Sequence, residues 1–171
     1  MKIKLVITDI DGVWTDGGMY YDAFENELKK FNTSDSAGVI FLKQLRIPLA
    51  IVTGEDTKMV ARRAEKLKID YVFQGVGNKL KIAKQLCDKL AINLEEVAFV
   101  GDDLVDVPLL RKVGLSAAPA NAPEYVKKWV DWRLETRGGQ GAFREFVERL
   151  LKENNLLDSA IEEFLSAIEK R

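Results

Sequence analysis

Histidine is absent from this chain, so any metal site must be built from other ligands, chiefly oxygen. Cysteine occurs once, as Cys87, which excludes an intramolecular disulfide. It lies in a segment of helical composition and reads as a small buried hydrophobe in a reducing compartment. Neither charge sign predominates, with Lys+Arg 26 against Asp+Glu 27, so no nucleic-acid surface and no acidic tail is expected. No apolar run reaches membrane-spanning length, and the N-terminus passes straight into an apolar strand without a signal peptide, so no membrane partner and a cytoplasmic location are expected. Internal repeats and low-complexity segments are also missing. What remains is a 171-residue chain with 47% hydrophobic residues, enough for a real core in one domain spanning 1–171.

The chain is organised around Leu5-Val6-Ile7-Thr8-Asp9-Ile10-Asp11-Gly12-Val13-Trp14-Thr15-Asp16. It opens with the apolar, β-branched composition of a buried parallel strand. Asp9 and Asp11 then stand two apart where the strand runs out, because a carboxylate left unpaired inside it would be very costly. They therefore belong at the carboxyl edge of a sheet, where open α/β folds place their ligands. Two carboxylates so close repel unless a cation or a shared proton intervenes, and Mg²⁺ is the natural cation for oxygen ligands. Taken alone, the stretch also fits a strand end with Asp in a turn.

Two short strand-like runs around a polar turn predict a β-hairpin flap over about 17–31, too small to stand alone and rich in aromatic residues that need a partner surface. Asn32 to Ser36 are capping residues that open a helix to about Leu45. Buried strands follow at Pro48–Val52, Tyr71–Gln74, Val97–Val100 and Leu115–Ala118, with a last strand near Trp132–Leu134. Helices are predicted from Thr57 to Leu67 (capped by Thr57 or Asp56), from Asn78 to Leu90, through Leu109 and Leu110, near Glu124–Lys128 and from Ala142. This alternation implies an α/β fold, a Rossmann-like doubly wound parallel sheet with helices on both faces. The tail over about 158–171 reads as a separate amphipathic helix.

Further polar groups recur just past buried strands or at helix starts. Thr53 ends the second core strand, Lys79 opens a helix, and Asp102 with Asp103 and Asp106 follows Val97–Val100. A parallel sheet puts all strand C-termini on one edge, so these groups should converge on Asp9 and Asp11. The set suits phosphoester hydrolysis. Asp9 serves as nucleophile, Asp11 as acid and then base, and Thr53 and Lys79 bind phosphoryl oxygens. Asp9, Asp11 and Asp102 hold Mg²⁺.

Asp9-Ile10-Asp11-Gly12-Val13, Thr53-Gly54, Lys79 and Gly101-Asp102-Asp103-x-x-Asp106 together resemble the haloacid dehalogenase superfamily of phosphotransferases. Only a hairpin separates the first strand from its helix, so there is no room for a cap domain. The resemblance narrows to the capless branch, which holds the phosphatases of 3-deoxy-D-manno-octulosonate 8-phosphate and of 2-keto-3-deoxynononate 9-phosphate. It covers roughly residues 4–150, including Thr15-Asp16-Gly17, Lys30-Phe31-Asn32, Gln74-Gly75 and the run from Arg137 to Glu145. It implies a homotetramer in which the hairpin and C-terminal segment of one subunit enclose a neighbour's site. It also implies substrate contacts at Asn32, Thr33, Ser34, Asp35, Ser36, Arg63 and Lys79, beside Asp11. The octulosonate pattern has Thr-Gly-Arg where this chain has Thr53-Gly54-Glu55, and an Arg where it has Ile40. The nononate pattern has Thr-Gly-Glu and a lysine matching Lys66. With Arg63 and Lys66 orienting Glu55 and receiving the substrate carboxylate, the expected substrate is the nine-carbon 9-phosphate. The eight-carbon ester and a non-catalytic assembly domain of the kind fused to sialic-acid-activating enzymes are the alternatives. A receiver-type signalling domain fits less well, since receivers lack the equivalent of Asp11.

Overall fold

A computed structural model describes residues 2–170 and turns the apolar runs into one parallel sheet. β1 (Leu5–Thr8) is buried at every position. A separate hairpin follows, β2 (Tyr20–Tyr21) paired antiparallel with β3 (Glu27–Leu28). β4 (Leu49–Val52), β5 (Tyr71–Phe73), β6 (Val97–Val100), β7 (Leu115–Ala118) and β8 (Trp132–Arg133) join β1 in the order β5-β4-β1-β6-β7-β8, every pair parallel. β4 and β6 are buried throughout like β1, which is why the three central strands run apolar without alternation. The chain leaves β1 toward β4 and β5, then returns to the far side of β1 at β6. That reversal opens a crevice at the carboxyl ends of β1, β4 and β6.

Alternate side chains of the strands feed two cores. Val6, Leu49, Ile51, Ala98 and Val100 pack under α1 (Ser36–Gln44) and α2 (Lys58–Leu67), together with Trp14. Leu5, Ile7, Ala50, Val52 and Phe99 pack against α3 (Lys79–Leu90), α4 (Val107–Leu110) and α5 (Glu124–Lys127). α6 (Ala142–Glu153) and α7 (Leu157–Glu169) complete the first layer. Of the two caps expected for α2, Thr57 serves, its Oγ1 accepting from Val60 N, and Asn78 caps α3, its Oδ1 accepting from Lys81 N at 3.0 Å. A 3₁₀ turn over Thr33–Asp35 leads into α1.

The tail forms the expected separate helix, α7. Ala160 is fully buried in the first core, so α7 is docked on α1 and α6, while Arg171 lies outside the described residues. Among the described residues, no helix is long and apolar enough to cross a membrane.

Candidate active site

Asp9 extends β1 by one backbone bond, its N–H donating to Val100 O at 3.0 Å, so the carboxylate projects where the sheet ends. The loop after it is set by Trp14, fully buried, whose Nε1 donates to Thr8 Oγ1 at 2.9 Å and whose ring stacks on Phe143 at 4.5 Å. Gly12 has φ +81°, and a Cβ there would lie 1.9 Å from Asp102 Oδ2; only glycine lets the first loop pass this close to the second.

Lys79, from the first turn of α3, is buried between two carboxylates, 2.8 Å from Asp9 Oδ2 and 2.6 Å from Asp106 Oδ1. Burial alone would lower its pKa, but Asp9 and Asp106 outweigh that and hold it above the ordinary lysine value. Asp106 Oδ2 accepts from the amides of Asp102 and Asp103, at 2.9 and 3.2 Å, and so shapes the loop after β6. Asp9 Oδ1 is buried and, among the described residues, has no hydrogen-bond partner. Ligand oxygens of Asp9, Asp102 and Asp106 lie within 4.8 Å of one another. Burial raises the Asp9 carboxyl to about 6, against the pull of Lys79 and with a push from Asp106. Burial and then the Asp9, Asp106 and Asp103 carboxylates raise Asp102 to about 8. A cluster that resists ionisation this way is short of positive charge.

Asp9, Lys79, Asp102 and Asp103 line a cavity of about 310 Å³ that also takes in Asp11, Thr53, Gly54 and Glu55, with Asp106 buried behind it. The expected convergence of Asp9, Asp11, Thr53, Lys79 and Asp102 is therefore observed. Asp11 differs in one respect: its carboxylate accepts from Lys29 Nζ and from Thr15 Oγ1, and stands outside the acidic cluster, where Asp106 takes the third place. A larger groove of about 1050 Å³ runs along α6 past Ser34 and Gln140, but it holds none of the acidic cluster, so the chemistry belongs to the smaller cavity.

The remaining substrate-contact residues sit elsewhere. Asn32 caps the 3₁₀ turn through Ser34 N and donates to Gly139 O at 3.2 Å; Thr33 is exposed; Ser34 borders the larger groove. Asp35 is buried beneath α6, accepting from Arg144 N at 3.0 Å. Arg63 donates to Asn32 O and to Ser36 Oγ, at 3.3 and 3.0 Å, and lies over the Phe31 ring. Of that group only Asp11, Glu55 and Lys79 reach the acidic cavity. The expected orientation of Glu55 by Arg63 and Lys66 is not made: Arg63 is committed to the Asn32–Ser36 segment that enters α1, Lys66 is exposed, and among the described residues no ion pair joins either to Glu55.

The Gly-rich run from Arg137 to Glu145 packs against the Asp9 loop of its own subunit. A Cβ on Gly138 would meet Gly12 O at 1.9 Å, Gly139 N donates to Val13 O at 3.1 Å, and Asn121 Nδ2 donates to Gly12 O at 3.0 Å. Asn121 and Lys29 were absent from the expected site. Nothing local marks either: Lys29 stands beside Lys30 in a polar stretch, and Asn121 reads as an ordinary turn residue.

The sequence model of haloacid dehalogenase-like hydrolases matches residues 34–114. The 3-deoxy-D-manno-octulosonate 8-phosphate phosphatase of Escherichia coli K12 is 42% identical over 159 residues, 93% of this chain and 85% of the relative. The chain thus belongs to the haloacid dehalogenase-like hydrolases, in their capless sugar-acid phosphatase branch. Its fold is similar to that of the Moraxella catarrhalis octulosonate 8-phosphate phosphatase, solved with magnesium ion, phosphate ion and KDO. That likeness has TM-score 0.91 and 39% identity, over 95% of this chain and 94% of the other. It is also similar to a probable phosphatase of the yrbi family from Pseudomonas syringae, at TM-score 0.92 and 40% identity, over 96% and 93%.

Proposed function

We propose that this chain is an Mg²⁺-dependent phosphatase of a 2-keto-3-deoxy sugar-acid phosphate, with 3-deoxy-D-manno-octulosonate 8-phosphate as its leading substrate. The observation that carries the reading is the buried, unpartnered Asp9 Oδ1 in a cavity shared with Lys79 and a strongly perturbed Asp102. The donor set fits Mg²⁺: all oxygen, acidic and short of positive charge. Asp9 and Asp102 would hold the ion, with Asp106 supporting them, since its oxygens are already taken by Lys79 and two amides. Once bound, the ion neutralises the carboxylates and the phosphoryl oxygens.

Asp9 Oδ1 is the only oxygen of that carboxylate free to attack phosphorus, because Oδ2 is held by Lys79. The Asp9–phosphorus bond forms as the bond to the sugar oxygen breaks, and Asp11 gives that oxygen its proton. Water then attacks the aspartyl-phosphate, Asp11 takes the proton, and phosphate leaves with Asp9 restored. Lys79 and Thr53 offset charge on the phosphoryl oxygens.

The eight-carbon ester leads because the curated relatives are named for it, whereas the Glu55 argument for the nine-carbon ester has lost its Arg63 and Lys66 partners. The nine-carbon ester stays as a second reading on one observation, that Glu55 lines the cavity and is exposed within it. Phosphate release from both esters tests this. Wild type should favour the eight-carbon ester, and Glu55→Arg should raise that preference by about one to two decades, the worth of one charge-assisted contact. Asp9→Asn should abolish release without lowering thermal stability. Release by a clean Asp9→Asn preparation would sink the mechanism, and no release by wild type from any sugar-acid phosphate would favour the assembly-domain reading.

The same reading includes a homotetramer. The hairpin exposes Tyr21, Phe24 and Leu28 at 68%, 84% and 62%, an apolar surface suited to a second copy. Light scattering should give four times 19.3 kDa, and an active monomer would contradict it.

A further inference from the structure

Most of the hairpin is exposed, yet the Lys29 side chain just past β3 is fully buried. Its ammonium reaches both oxygens of Asp11, at 2.8 and 2.7 Å. From the other arm, Thr15 Oγ1 donates to Asp11 Oδ1 at 3.1 Å and accepts from Gly17 N at 3.2 Å. The arms also bridge through Thr15 and Phe31, and the Tyr20 hydroxyl donates to Asp16 Oδ2 at 2.7 Å. Both arms of an otherwise lightly anchored hairpin thus close on one carboxylate, and that carboxylate lines the acidic cavity.

This arrangement has two physical consequences. A lone Asp in a loop beside glycine can rotate, whereas one gripped by a buried ammonium and a hydroxyl holds one orientation, and proton transfer depends steeply on such placement. A two-stranded hairpin is marginal in water, and taking one partner from a pair whose ammonium is buried is costly, so this contact near the foot of the second arm helps to fix it. We propose that Lys29 is a positioning residue, which orients Asp11 for proton transfer and latches the hairpin beside the cavity. This rests on the phosphatase reading for its first half only. The latch is a property of the free protein.

Lys29→Met removes the ammonium and keeps most of the stem. Lys29→Arg keeps the charge and offers a planar fork that matches a carboxylate. Lys29→Gln serves if the Met variant fails to fold by circular dichroism. In metal-free protein, hydrogen exchange across residues 17–31 should quicken about tenfold in Lys29→Met and stay near wild type in Lys29→Arg. In turnover, Lys29→Met should lose about 10- to 100-fold in kcat with KM nearly unchanged, and Lys29→Arg should recover most of it. Unchanged exchange, an unchanged kcat, or an Arg variant no better than Met overturns the proposal. Exchange is read without substrate, so it stands or falls even if wild type releases no phosphate. Normal wild-type turnover with an unaffected Lys29→Met removes Lys29 alone and leaves the phosphatase.

Discussion

Asp35 is a carboxylate sealed under a helix. It is fully buried, Oδ1 accepts from Arg144 N, and Oδ2 has no partner among the described residues. Burial raises its pKa from 3.8 to about 6, overcoming the amides of Arg144 and Phe143 and the charge of Arg63. Because the folded value lies above the unfolded one, the stability linked to its protonated form is complete below pH 3.8 and lost as pH rises through about 6. At pH 7 the ionised group opposes folding by about 2–3 kcal/mol. Asp35→Asn keeps an acceptor for Arg144 N and carries no charge. Its melting temperature should exceed that of wild type by several degrees at pH 8, with the difference vanishing near pH 4. Equal melting temperatures at pH 8 would show that the charge is compensated in the fold. The sequence placed Asp35 among substrate contacts because its neighbourhood matches a family motif. Its burial could not be read there, since the helix that seals it begins more than a hundred residues later.

The elements show why some of the fold was legible and some was not. β1, β4 and β6 are buried on both faces, so their apolar runs announced them, and the groups at their ends converged because parallel strands share an edge. α2 was legible from Thr57, whose cap acts within one turn, and α3 from the apolar stripe that follows Asn78. The tail was legible as its own helix, but its docking face was not, because the stripe of Ile161, Phe164, Leu165 and Ile168 looks like the face that would pack. Docking instead runs through Ala160 and the preceding Leu156 and Leu157, which carry little periodic signal. Truncation after Asn155 should therefore cost about 1–3 kcal/mol of stability and leave turnover intact, as no α7 residue lines the acidic cavity. Denaturant titration and phosphate release measure the two halves. Loss of activity in a folded truncation would show that α7 reaches the site through assembly.

For the molecule as a whole, the acidic cluster makes stability depend on the cation. Asp9 and Asp102 have folded pKa values of about 6 and about 8, both above the ordinary 3.8. The metal-free protein should therefore lose stability as pH rises from about 4 to 8. Mg²⁺ that binds only the folded chain adds about 2.7 kcal/mol at a hundredfold excess over its Kd. It must compete with protons, so its stabilising shift should be small at pH 5.5 and larger at pH 8.5. Melts with Mg²⁺ and with a chelator read this directly, and a shift that shrinks toward high pH would count against Asp9 and Asp102 as ligands. The backbone contact between Gly12 and Gly138 has a consequence for synthesis. The loop bearing the nucleophile emerges from the ribosome first, but its supports at Asn121, Gly138 and Gly139 come from the last third of the chain. A nascent chain halted before residue 121 would carry the Asp9 strand with none of these supports beneath its loop, so the reaction centre is completed late in translation, well after its key residue has been made.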